Sequence, residues 1–154
     1  MYEKNIASIY NFIDFSNIIL YMKNSKIVFF DGVCNFCNVT VDFVWKRNKR
    51  RNLYYASLQS DIAKEKLMKR GINDITLRTI YYEDGDRIYQ KSQAIFMILT
   101  TLDGIYPLLG KIALIIPRII SDSIYDIISE NRYHIMGKRD SCRIPTVEDE
   151  EYFL

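Results

Sequence analysis

Hydrophobic positions along the chain alternate between strand-like and helix-like spacing. Ile27-Val28-Phe29-Phe30 is a short, continuous apolar run, the pattern of a strand buried on both faces. Residues 35–49 then follow a helical period, with Phe36, Val39 and Phe43 on one stripe. Leu53 to Ala56 predicts a second strand. Ser60 is placed to cap a helix that has Asp61 in its first turn and ends at Gly71. Thr76 to Tyr82 and Arg87 to Lys91 read as the two arms of a hairpin, joined by Glu83-Asp84-Gly85-Asp86 with its Asp-Gly turn signal. Ser92 is expected to cap a helix carrying Ile95, Ile98, Leu99 and Leu102 at i, i+3, i+4 and i+7. A short apolar helix follows Pro107, and Pro117 ends or kinks it. Ser121 or Asp122 then starts a last helix with Ile124, Ile127 and Ile128.

At the N-terminus, Ile6, Ile9, Tyr10 and Ile13 recur at helical spacing. Residues 1–24 therefore read as an N-terminal extension, 25–146 as one domain, and 147–154 as an acidic tail expected to be loosely held. There is no internal repeat and no low-complexity linker. The element order is strand, helix, strand, helix, strand, strand, helix, which matches the thioredoxin order. The right-handed crossover rule makes the first two strands parallel neighbours. The expected fold is α/β and thioredoxin-like. It has a central mixed sheet of about four strands flanked by helices, with extra C-terminal helices.

Composition narrows the class of function. The chain has 154 residues, 49% hydrophobic and 26% charged, as in a globular domain with a proper core. A net charge of +2 implies no nucleic-acid partner. The basic run Lys46 to Arg51 fits the solvated end of a helix. Leu108 to Ile120 is broken by Gly110, Lys111, Pro117 and Arg118 and is too short to span a bilayer, so no membrane insertion is expected. Residues 1–24 carry Glu3 and Asp14 and lack a signal-type apolar stretch, so a reducing cytoplasm is expected. The high aromatic content, twelve Tyr and eight Phe, reads mostly as core and cross-strand packing.

The chemistry concentrates in Cys34-Asn35-Phe36-Cys37, which lies just after the first strand and Asp31-Gly32 and opens the first helix. A helix start offers free backbone N–H groups and the positive end of a dipole, and both favour a thiolate. Positions i and i+3 share a face, so the two sulfurs can meet. In the expected mechanism Cys34, at the helix start and more exposed, attacks a substrate disulfide. Cys37 then resolves the mixed disulfide. Asn35 and Phe36 bring no positive charge, so the expected thiol is only modestly activated. Asp31 is either a proton acceptor for Cys37 or a turn residue bonding the backbone of the Gly32–Cys34 bend.

Cys142 has three readings: a small buried hydrophobe, a second resolving cysteine, or a metal ligand. With Cys34, Cys37 and the lone His134 it would complete a Cys₃His zinc set. His134 and Cys142 are eight apart, wider than the usual spacing. The function expected first is thiol–disulfide exchange with protein or small-molecule thiols and disulfides, and with no cofactor. The alternatives are a zinc-binding or structural module and an interaction protein whose dithiol has lost its task.

Several segments together resemble a known family. Phe29-Phe30-Asp31-Gly32-Val33-Cys34-Asn35-Phe36-Cys37 resembles the signature of the DCC family of thiol–disulfide oxidoreductases, named for an Asp-Cys-Cys motif. Leu58-Gln59-Ser60, Lys91-Ser92-Gln93-Ala94, Asn131-Arg132-Tyr133 and Gly137 to Pro145 resemble its later motifs, in order. The resemblance covers about residues 26–146. It implies a thioredoxin-like fold, a redox role for Asp31, Cys34 and Cys37, and accessory positions at Ser92, Arg132 and Cys142. Ordinary thioredoxins carry a cis-proline before the third strand, facing the dithiol. Asn73-Asp74-Ile75-Thr76 has none.

Overall fold

A computed structural model describes residues 26–140 and 150–154. The expected extension and Cys142 lie outside the described residues. The order is β1 (Lys26–Phe30), α1 (Asn35–Arg47), β2 (Leu53–Ser57), α2 (Asp61–Lys69), β3 (Tyr81–Asp84), β4 (Arg87–Gln90), α3 (Lys91–Thr101), α4 (Tyr106–Ala113) and α5 (Arg118–Met136). A 3₁₀ turn, Glu150–Tyr152, follows.

The four strands form one open mixed sheet in the order β2-β1-β3-β4. β1 runs parallel to β2 and antiparallel to β3, and β4 completes the hairpin with β3. The expected α/β, thioredoxin-like arrangement is thus observed. Alternation along β1 sorts the core into two layers. Val28 and Phe30 join Val41 and Val44 of α1, Ile98 of α3 and Leu102 just after it on one face. Ile27 and Phe29 join Ala63 and Leu67 of α2 on the other. A strand buried on both faces has no polar side, which explains its unbroken apolar run.

Four local expectations change. The third strand begins at Tyr81 rather than Thr76. The backbone before it is bonded to α5 instead of to a strand: Ile80 N–H donates to Tyr125 Oη at 2.8 Å, and Arg132 Nη2 donates to Leu77 O at 2.7 Å. In α1 the buried residues are Asn38, Val41 and Val44, while Val39 and Phe43 face outward. Asn38 turns inward because its amide donates to Gly32 O at 2.9 Å and Cys34 O at 2.8 Å. Ser92 is not a cap: Gln90 holds that position, and Ser92 Oγ donates to the Asp122 carboxylate and lies 3.0 Å from Ser121 Oγ. The last helix starts at Arg118, directly after Pro117.

The chain end is also held. Leu154 N–H donates to Tyr55 O at 2.8 Å, and Phe153 stacks on Tyr55 with ring centres 5.1 Å apart. Gly110 lets α4 approach α3 closely, since a Cβ there would lie 2.7 Å from Phe96 O.

Candidate active site

Cys34 is the N-cap of α1, with extended backbone at φ −85° and ψ 119°. Its Sγ accepts the N–H of Cys37 at 3.3 Å, so a sulfur takes the place of the usual capping oxygen. Cys37 lies one turn further on, and both are free thiols.

Exposure is the reverse of the expectation. Cys34 has no exposed surface, and Cys37 is the half-buried, reachable thiol. A strap, residues 137–140, leaves the end of α5 and runs alongside Val33, Cys34 and Asn35. Gly137 makes the turn at φ 77°, where a side chain would be strained. Arg139 N–H then donates to Val33 O at 2.7 Å, and Lys138 pairs with Cys34 as an antiparallel bridge. Asn35 ties both ends. Its amide donates to Met136 O at 2.9 Å, and its carbonyl accepts from Arg139 Nε at 2.8 Å.

Beneath the thiols sits a buried ion pair. Asp31 and Arg132 meet at 2.9 Å, both almost wholly enclosed. One carboxylate oxygen takes Arg132 Nη2 and the Tyr133 hydroxyl. The other takes Gln59 Nε2 at 2.7 Å and Val33 N–H at 3.3 Å. Gln59 reaches back with its own carbonyl to Gly32 N–H at 3.1 Å. Asp31 therefore does bond the backbone of the bend, as the turn reading expects, and it also neutralises a buried guanidinium.

These charges act on Cys37. Burial pushes the Cys37 thiol well up from its ordinary value, and the contact with Cys34 adds to this. The Arg132 guanidinium opposes the rise and Asp31 reinforces it. Burial likewise raises the Tyr133 hydroxyl, and its hydrogen bond to Asp31 adds to that. Cys37 opens onto a cavity of about 120 Å³, walled mainly by Phe36, Leu77, Ile80, Ile128 and Arg132.

The structure thus brings Cys34, Cys37, Asp31 and Arg132 together. Ser92 stands apart, joining the start of α3 to α5. His134 is exposed on α5, and among the described residues no three His, Cys, Asp or Glu side chains gather as a metal site. Sequence reasoning did not single out Asn38, Gln59, Tyr133 or the Asn35–Arg139 latch. Gln59 and Tyr133 do fall inside the family-like segments.

A dithiol capping the helix after the central strand of a four-stranded mixed sheet defines a thioredoxin-like α/β protein with a CxxC site. The chain belongs to the DCC1-like thiol-disulfide oxidoreductase family, whose model matches residues 28–138. It is 33% identical over 118 residues to a chloroplastic DCC family protein of Arabidopsis thaliana, covering 77% of this chain and 69% of the relative. It is also 33% identical over 131 residues to the uncharacterized protein YuxK of Bacillus subtilis, covering 84% of this chain and 94% of the relative. No solved structure matches it. Among the described residues, no helix is long and apolar enough to cross a membrane.

Proposed function

We propose that the protein exchanges disulfides through Cys34 and Cys37, with Cys34 attacking and Cys37 resolving. The observation that carries this reading is the Cys37 N–H directed at Cys34 Sγ at 3.3 Å. A donor aimed at a sulfur on the positive end of a helix favours the thiolate, which is the nucleophile. Cys37 fits the resolving role, because burial keeps it protonated until the mixed disulfide forms. Asp31 and Arg132 position the bend and set the field around both sulfurs. Attack by Cys34 requires the 137–140 strap to shift, since the sulfur is otherwise enclosed. A reducing cytoplasm suits a pair that works from the dithiol form.

Trapping tests the order of attack. Cys37→Ser should accumulate a mixed disulfide on Cys34 when mixed with a disulfide substrate, detected by intact mass. Cys34→Ser should accumulate none. A stable adduct on Cys37 in Cys34→Ser, with none in Cys37→Ser, would reverse the assignment.

A further inference from the structure

The aliphatic stripe of α5 does not face the core. Ile120, Ile124, Ile127 and Ile128 lie at i, i+4, i+7 and i+8, one face of a helix, yet they are 54%, 55%, 63% and 41% exposed. Ile115 and Ile119, at 80% and 84%, carry the row across the turn from α4. Isolated exposed aliphatics are ordinary, whereas a continuous row marks an interaction surface.

The row leads to the dithiol. Ile128 belongs to it and also walls the cavity onto which Cys37 opens. The other wall, residues 77–80, has little backbone to offer an extended peptide. Leu77 O accepts from Arg132, Arg78 O from Tyr125 and Ser129, and Ile80 N–H donates to Tyr125. Recognition here therefore relies on side chains. A second copy or a lipid surface seated permanently up to Ile128 would close the cavity beside the reachable thiol. A partner that brings its own disulfide and then leaves would not.

We propose that this α4–α5 stripe docks polypeptide substrates whose disulfide is flanked by apolar residues. This rests on the dithiol reading above. In the exchange, once residues 137–140 have shifted to uncover it, the Cys34 thiolate, its proton lost to solvent, attacks one sulfur of the peptide disulfide. That S–S bond breaks and a mixed S–S bond forms. Cys37 then attacks the Cys34 sulfur, and its proton goes to a departing peptide thiolate. Two electrons pass from the protein dithiol to the peptide, which leaves as two thiols while Cys34 and Cys37 become a disulfide.

Single turnover of the fully reduced full-length chain tests this without an added reductant. Two disulfide-bridged peptides of equal length are compared, one with Leu and Phe beside the cystine and one with Ser and Asp. Glutathione disulfide is the third oxidant. The apolar peptide should react about tenfold faster than the polar one, the effect of burying one or two aliphatic contacts. In Ile124→Asp/Ile127→Asp that preference should collapse to within about twofold, with the glutathione disulfide rate unchanged. Both residues are exposed. Should the variant misfold by circular dichroism, the wild-type peptide comparison alone decides. Equal wild-type rates overturn the docking proposal while leaving exchange intact. So does a dimer in sedimentation that this variant dissolves, or binding to phosphatidylcholine vesicles that blocks peptide reduction. No reaction with any of the three oxidants overturns the dithiol reading itself.

Discussion

The dithiol end and the α4–α5 face hold opposite kinds of residue in opposite kinds of place. At the dithiol end, polar and charged groups are buried: Asp31, Asn38 and Arg132 are nearly enclosed, and each is bonded. On α4 and α5, large aliphatics such as Ile115 and Ile119 are open. Ordinary folding energetics disfavours both arrangements, because buried charge costs desolvation and exposed aliphatic surface forgoes burial. The difference lies in completion. The polar cluster finds most of its partners within the chain, leaving Asn38 Oδ1 and Arg132 Nε unbonded, whereas the aliphatic row stays exposed among the described residues. Stability should therefore respond sharply to change in the first region and weakly in the second.

The largest effect should come from unpairing the buried charges. Asp31→Ala leaves Arg132 charged without its carboxylate and should cost about 3–5 kcal/mol in urea unfolding. A loss under about 1 kcal/mol would show that the cluster is better hydrated than its burial indicates. Next is a matched aliphatic pair. Ile98→Ala, in the core at 3% exposure, should cost about 2–5 kcal/mol. Ile119→Ala, at 84%, should stay within about 0.5 kcal/mol. Equal costs would mean that the open face is covered in solution.

A third test uses pH. Burial, then Cys34, raises the Cys37 thiol above its unfolded value of 9.0. The folded state thus holds a proton that the unfolded state releases. The associated stability is fully present below pH 9 and falls as pH climbs above it toward the folded value. The slope is at most about 1.4 kcal/mol per pH unit for one proton. Cys37→Ser should flatten that decline in denaturant midpoints measured across alkaline pH. An unchanged slope would place its origin elsewhere, with Tyr133 the next group to examine. The most local effect belongs to the strap. Asn35→Ala removes two hydrogen bonds and should loosen 137–140 by about 1 kcal/mol. Exchange of the Arg139 amide, bonded to Val33 O, should then quicken about fivefold, with global stability little changed.

Much of this molecule is legible in its sequence, for reasons that differ by element. β1 is visible because both its faces are apolar. The hairpin is visible because Asp84-Gly85 marks its turn, and α2 because Ser60 caps it, accepting Ala63 N–H at 3.2 Å. The CxxC at a strand–helix junction is visible as chemistry. What sequence reasoning mistakes is set by distant partners. Residues 76–80 look like a strand, but α5 claims the hydrogen bonds of Leu77 O, Arg78 O and Ile80 N–H. Val39 and Phe43 share a helical stripe with Phe36, but Asn38 turns the helix so that its own face is buried. Cys34 stands at a helix start, where exposure is the usual state. It is buried beside a strap about a hundred positions later in the chain, which no local pattern announces.

That strap has a kinetic consequence. If the strap is what encloses Cys34, an oxidant or alkylating reagent meets that sulfur only after residues 137–140 shift. The rate of any modification there becomes the product of an opening equilibrium and an intrinsic thiol rate. As reagent concentration rises, the rate should stop increasing once opening itself is limiting, and the plateau is the opening rate of residues 137–140. A small peroxide and a bulky maleimide, despite very different reactivities, would then converge on the same ceiling. Discrimination at Cys34 would lie in what holds the strap aside, more than in what touches the sulfur first.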